Sequence, residues 1–321
     1  MNNKKIAITL GDINGVSIEV VIKALNSLNL SEDQIILIGS KKALDFHQNL
    51  LNIKLNKNYN IFNIDDFLDI DIEPNDIKIG KDTKLSGIVS YSSIKKACEL
   101  ALNNEINGIV TAPVSKNALN MAGYNFNGQT EILQYFLGNL NKKAQMLFVA
   151  NNFRVLLLTR HLPLKDVYKQ INEEMIYSNI YNINEILKNI FKIKEPKIAI
   201  CSLNPHAGEN GFLGTEEQDV FLPAIKKLNS QGIKVTDPMP ADTLFTKVKD
   251  NIYDCFISCY HDQGLIPIKL LAIQNTVNLT VGLDILRSSP AHGTAFDIAG
   301  KNIADEKSMI ESIKLLFKLI S

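Results

Sequence analysis

The chain has five histidines, and three of them directly follow apolar runs. His161 ends Val155-Leu156-Leu157-Leu158-Thr159-Arg160, His206 follows the run 198–203 through Asn204-Pro205, and His261 follows 255–260. Runs of this length read as buried strands, and in an open parallel sheet the carboxyl ends of the strands face the ligand crevice. Three imidazoles placed there suit Zn, Co, Ni or Fe and leave a position for water or substrate, which Lewis-acid catalysis requires. The competing reading makes each an ordinary hydrogen-bonded loop histidine. His47, in a helical pattern after Asp45-Phe46, reads as a surface residue, and His292 belongs to a different cluster.

Anion handles accompany the histidines. Lys269, Asn278 and Arg287 are the polar members of largely apolar surroundings, where a cation either snorkels to water or meets an anion. The loop Asn204 to Gly211 and the helix opened by Gly128-Gln129-Thr130-Glu131 offer backbone N–H groups to an oxyanion, although loops of this kind are commonly plain turns. The first loop, Gly11-Asp12-Ile13-Asn14-Gly15-Val16-Ser17, joins a strand to a helix that Ser17 is expected to cap. No G-x-G-x-x-G follows a strand and no Walker-type sequence occurs, so neither common nucleotide loop is supported.

Positioning these groups requires a layered frame. Short apolar runs alternate with helical periodicity: strand 6–10, helix 18–28, strand 34–38, helix 41–51, helix 92–102 and strand 108–111. There follow 144–150 and 153–159 about an Asn151-Asn152 turn, helix 164–191, strand 197–203, helix 215–228, strands 254–259 and 276–282, and helix 306–320. Such alternation predicts an α/β fold with parallel sheets covered on both faces. No Pro/Gly/Ser linker interrupts it, and the weakest seams fall near 138–144 and 272–275.

At 321 residues the chain can bury a large core, and 34 Lys plus Arg balance 34 Asp plus Glu. That balance excludes the broad basic field that nucleic acid or an anionic membrane would need. The four cysteines form no C-x-x-C pair and sit in apolar patterns, which suits reduced core thiols of a cytoplasmic protein. The first apolar run is too short for a signal sequence or a membrane span.

The motifs Thr111-Ala112-Pro113-Val114-Ser115-Lys116, Gly128 to Glu131, Asn204 to Glu209, Pro240-Ala241-Asp242-Thr243-Leu244-Phe245 and Tyr260-His261-Asp262-Gln263-Gly264, in this order, resemble the 4-hydroxythreonine-4-phosphate dehydrogenase family of vitamin B6 biosynthesis. The resemblance spans nearly the whole chain. It implies a two-domain α/β/α sandwich of the isocitrate/isopropylmalate dehydrogenase-like type. Residues 1–140 plus 273–321 would form the first domain and 141–272 the second, with an active site shared across a homodimer. The implied reaction is NAD-dependent oxidation of 4-phosphooxy-L-threonine at C3, then decarboxylation to 3-amino-2-oxopropyl phosphate. By the same resemblance His161, His206 and His261 hold a divalent metal (Zn, Mg or Co). Gln129, Thr130, Lys269, Asn278 and Arg287 bind substrate, Gln129 standing where the family usually has His. Asp262, Asp242 and Lys269 remain alternatives for the base, and Asp262 is alternatively a partner that orients His261. The stretch 289–301 resembles the adenosine loop of isopropylmalate dehydrogenases and implies NAD contacts from His292, Gly293, Thr294, Ala295 and Asp297, the carboxylate favouring NAD over NADP. Two rivals are a related dehydrogenase of another phosphorylated or dihydroxylated acid, and a metal-dependent decarboxylase or hydrolase without a redox cofactor.

Overall fold

Apolar runs of four or five residues become strands because they are too short for a helix and are bounded by Gly, Asn, Asp or Thr, while the longer periodic segments cover them. The computed structural model describes residues 4–68, 71–139 and 143–321. It divides into two compact units, residues 1–144 with 277–321, and residues 145–276. The expected first seam, 140/141, lies outside the described residues. The second junction falls at 276/277 and not at 272/273, because the turn 273–275 that ends the preceding helix belongs to the second unit.

The first unit starts with β1 (Ile6–Thr9), α1 (Ser17–Ser27), β2 (Ile35–Gly39), α2 (Lys41–Leu51), β3 (Asn60–Asn63), α3 (Lys84–Leu102), β4 (Gly108–Thr111), α4 (Lys116–Met121) and α5 (Gln129–Leu137). The second contains β5 (Gln145–Ala150), β6 (Phe153–Leu157), α6 (Leu164–Gln170), α7 (Glu173–Asn189), β7 (Lys197–Ile200), α8 (Leu222–Ser230), β8 (Lys234–Val235), α9 (Ala241–Leu244), β9 (Cys255–Ser258) and α10 (His261–Ala272). The chain then returns to the first unit with β10 (Val277–Val281), β11 (Leu286–Pro290) and α11 (Lys307–Ile320).

Within the first unit the strand order is β3-β2-β1-β4-β11-β10, parallel except for β10, which runs antiparallel to β11. In the second it is β5-β6-β9-β7-β8, parallel except for β5. The hairpin at Asn151-Asn152 forms as expected, Ala150 pairing with Phe153 and Asn151 taking φ 56°, the left-handed value such a two-residue turn needs. Elsewhere side-chain chemistry breaks the expected helices. The stretch 164–191 is two helices, because the Asn172 side chain accepts from Met175 N and starts a new one. The 215–228 helix is regular only from Leu222 and is preceded by a π turn at Glu217–Phe221. Ser17 does not cap α1; it is the first helical residue, and its hydroxyl donates to Pro113 O at 2.7 Å.

Candidate active site

In the second unit β9 lies between β6 and β7, so three parallel strands end at one edge. Beyond the ladder, Leu158 N donates to Ser258 O (2.9 Å), Thr159 Oγ1 to Cys259 O (2.7 Å) and Cys201 N to Ile257 O (2.8 Å), which locks the strand ends in register. Gln263 ties them further: its Oε1 accepts from Cys259 N (2.7 Å) and its Nε2 donates to Ser202 O (2.9 Å). His161 and His261 leave adjacent ends, and their ring centroids are 5.7 Å apart. Two imidazoles on one tetrahedral ion have centroids roughly 5 Å apart, so this pair fits a shared divalent metal. His261 opens α10, and its Nδ1 lies 2.7 Å from Asp262 Oδ1. A carboxylate only accepts, so Nδ1 carries the proton and the Nε2 lone pair is the one that could face a metal.

His206 stands on a loop with unusual backbone. His206, Ala207, Gly208, Glu209 and Asn210 have φ of 52°, 54°, 77°, 44° and 56°. Left-handed geometry costs a non-glycine residue about 1–2 kcal/mol, so this run needs external support. Glu217 supplies it from the π turn: buried, its Oε1 accepts from Leu203 N (2.9 Å) and Asn204 N (2.8 Å), and its Oε2 from Asn204 Nδ2 (3.0 Å). His206 lines a cleft of about 250 Å³ with Asn204, Asp242, Tyr260 and Gln263. Asp242 is exposed there, its Oδ1 accepting from Thr243 N at 2.9 Å. Lys269 is half-buried, eight residues along α10 from His261, roughly 12 Å by helix rise. Among the described residues of one chain, no group of three or more His, Cys, Asp or Glu is gathered closely enough to hold a metal. Thus two of the predicted ligands meet, and the third does not join them within the chain. The four cysteines are buried and free. Burial pushes the Cys98, Cys201 and Cys255 thiols up to about 12 and Cys259 well above its ordinary value, so none offers a thiolate.

The first unit holds the candidate anion handles Arg287, Asn278, Gln129 and Thr130. Arg287 pairs with Thr280 across the antiparallel ladder and with Ile109 across the parallel one, which puts Thr280, Asn278 and Thr111 on its own face of the sheet. Arg287 is accordingly buried, at 2% exposure, with Nε donating to Thr111 Oγ1 (2.8 Å), Nη1 to Thr280 Oγ1 (3.3 Å) and Nη2 to Thr111 Oγ1 and Gln129 Oε1 (2.9 Å). Burial lowers its guanidinium to about 9, opposed by the Glu131 carboxylate, and it forms no ion pair among the described residues. Asn278 presents a buried Oδ1 without a partner. Gln129 and Thr130 are the first two residues of α5, and Thr130 is buried.

The loop 291–297 lies against the first loop. Val16 N donates to Thr294 O (3.0 Å), and a Cβ on Gly15 would fall 2.7 Å from that same oxygen. His292, Gly293 and Asp297 are exposed, Ala295 has φ 43°, and a Cβ on Gly293 would meet nothing within 4 Å. His47 is not at the surface: it is fully buried beneath the first loop, with Nε2 2.7 Å from Ile13 O, because its face of α2 packs inward. Asp12 is also fully buried. Its Oδ1 accepts from Asn14 N (2.8 Å), its Oδ2 has no partner, and burial pushes its carboxyl up to about 6, with Asp82 adding to the rise. Thr280 and Glu217 carry no sequence signal of their own, and Thr111 and Gln263 carry one only as members of the family motifs. Only strand register and loop closure bring them to the sites.

A family profile described as pyridoxal phosphate biosynthetic protein PdxA matches residues 31–316. Among curated relatives, the 4-hydroxythreonine-4-phosphate dehydrogenase of Sulfurihydrogenibium sp. is 42% identical over 98% of each chain. The D-threonate 4-phosphate dehydrogenase of Cupriavidus necator is 35% identical over 96% of this chain and 95% of its own. The crystal structure of 4-hydroxythreonine-4-phosphate dehydrogenase from Klebsiella pneumoniae superposes with a TM-score of 0.85 at 30% identity, covering 99% of this chain and all of that one.

Proposed function

This chain belongs to the PdxA family of pyridoxal phosphate biosynthetic proteins, and from that premise we propose that it oxidises 4-phosphooxy-L-threonine at C3 with NAD, the 3-oxo acid then losing carbon dioxide to give 3-amino-2-oxopropyl phosphate. The observation that carries the reading is Arg287, a buried guanidinium held only by neutral acceptors beside the unpartnered Asn278 Oδ1. A buried cation with no carboxylate in ion-pair contact, Glu131 acting on it only through space, is costly unless a ligand brings the anion, and the substrate offers a phosphate and a carboxylate. Thr130 and Lys269 are the further substrate contacts in this reading.

His161, His206 and His261 would hold the divalent metal, of which Zn, Mg and Co are the alternatives. Bound there, it supplies Lewis acidity to the C3 oxygen. Asp262 holds His261 in the tautomer that presents Nε2. The proton of the C3 hydroxyl goes to Asp262, Asp242 or Lys269, of which Asp242 shares a cleft with His206. His292, Gly293, Thr294, Ala295 and Asp297 would receive NAD. Because one chain does not gather the three imidazoles, we assign the complete ligand set to a homodimer. The four buried free cysteines suit a cytoplasmic enzyme. No described helix is long and apolar enough to cross a membrane.

The Cupriavidus relative's name favours one second reading, D-threonate 4-phosphate as substrate, which carries a hydroxyl where 4-phosphooxy-threonine carries an amine. NADH formation from each compound, before and after chelation, separates the two. His206→Ala should abolish activity and metal content together; an active, metal-free His206→Ala enzyme overturns the metal assignment.

A further inference from the structure

We infer that Gln129 is a positioning residue, acting on the bound anion through Arg287 instead of as a ligand in its own right. The inference rests on the reading of Arg287 as the anion receptor. The Gln129 carbonyl accepts from Arg287 Nη2 at 2.9 Å, and its amide donates to Ala112 O at 3.0 Å. The amide orientation follows from these partners: a flipped side chain would set its NH₂ against the guanidinium and its oxygen against a carbonyl. Gln129 is therefore a strut between the end of β4 and the head of Arg287, fixed at its base as the first residue of α5.

Its neutrality matters as much as its reach. Arg287 is held by two threonine hydroxyls and one amide, none of which carries charge. These acceptors orient the guanidinium without neutralising it, and the Glu131 carboxylate acts on it only through space, outside ion-pair distance among the described residues. A carboxylate at the position of Gln129 Oε1 would pair with the guanidinium and compete with the incoming anion. A protonated imidazole there could not accept from Arg287 at all.

A double-mutant cycle tests this. Titration calorimetry with inorganic phosphate would be run on the wild type, Gln129→Met, Gln129→Glu, Arg287→Lys and the double variant carrying both Gln129→Met and Arg287→Lys, each checked for an unchanged melting profile. Gln129→Met should weaken phosphate about tenfold, the scale of one hydrogen bond to a charged group, and Gln129→Glu by more. A lysine cannot fork to Thr111 and Gln129 together, so in the Arg287→Lys background the methionine change should cost less than about twofold. Equal losses in both backgrounds would show that Gln129 touches the anion itself, and tight binding by Gln129→Glu would remove the argument from neutrality; either overturns the inference. Phosphate binding that is indifferent to Arg287→Lys removes the receptor and the inference with it. Phosphate binding that follows this pattern in a protein inactive on both phosphorylated acids would overturn the proposed function and leave Gln129 as described.

Discussion

Asp12 is a buried side chain whose ionisation bears on stability in the acidic range. Its carboxyl rises from 3.8 to about 6 because burial penalises the charged form. The folded state therefore binds the proton more tightly than the unfolded chain, and its contribution to stability falls as pH rises from about 4 to about 6. The difference of about 2.2 pH units, at about 1.36 kcal/mol each, sets an upper bound of about 3 kcal/mol. Asp12→Asn keeps the acceptor for Asn14 N and removes the charge. Urea unfolding of the variant should gain on the wild type between pH 4 and pH 6 and hold that gain above; a difference that is flat with pH would refute the assignment. The residue scale also marks where reading the chain stops. Arg287 is legible as a cation among apolar neighbours, but Thr111 and Thr280 are not legible as its partners, since they come from the two strands that flank β11. His47 misled because the face of α2 that packs inward is decided by the loop lying over it.

At the scale of elements, α10 positions the most chemistry and was the least legible. Gly264 and Pro267 are of types that ordinarily break helices, yet the helix runs through both. Gly264 is required by close approach: a Cβ there would lie 2.6 Å from Ser258 Oγ and 2.8 Å from both Leu157 Cδ2 and Val155 Cγ1. Gly264→Ala should therefore push α10 off β6 and β9, destabilise the protein by about 1–3 kcal/mol and widen the His161–His261 pair. Melting temperature and bound metal per chain measure the two effects. A variant that loses stability and keeps full metal content would separate the helix packing from the ligand geometry. β11 was missed for a related reason: Arg287-Ser288-Ser289 looks polar, but Ser288 Oγ spends its polarity on Ser312 O at 2.9 Å. The short apolar parallel strands and the longer periodic helices between them were legible because run length and periodicity specify them.

For the whole molecule, the exposed face of α10 is the informative surface. Ile266 and Leu270, one helical turn apart, are 58% and 81% exposed, and Ile273 just beyond is 64% exposed. An apolar stripe of this kind suits burial against a second copy, in keeping with the proposed homodimer. Leu270→Glu should yield monomers by sedimentation and lose activity with them; an active monomer would dispose of the shared site. No linker composition marks the junctions of the two compact units. The path of the chain through those units also sets an order of assembly. Residues 145–276 carry β5 to β9 in one continuous segment, but β4 waits for β11, which is synthesised about 180 residues later (287 against 109 in register). On a ribosome the middle of the protein thus emerges while the beginning still has an open edge, and Arg287, carried on the strand that closes that edge, is among the last parts to come into being.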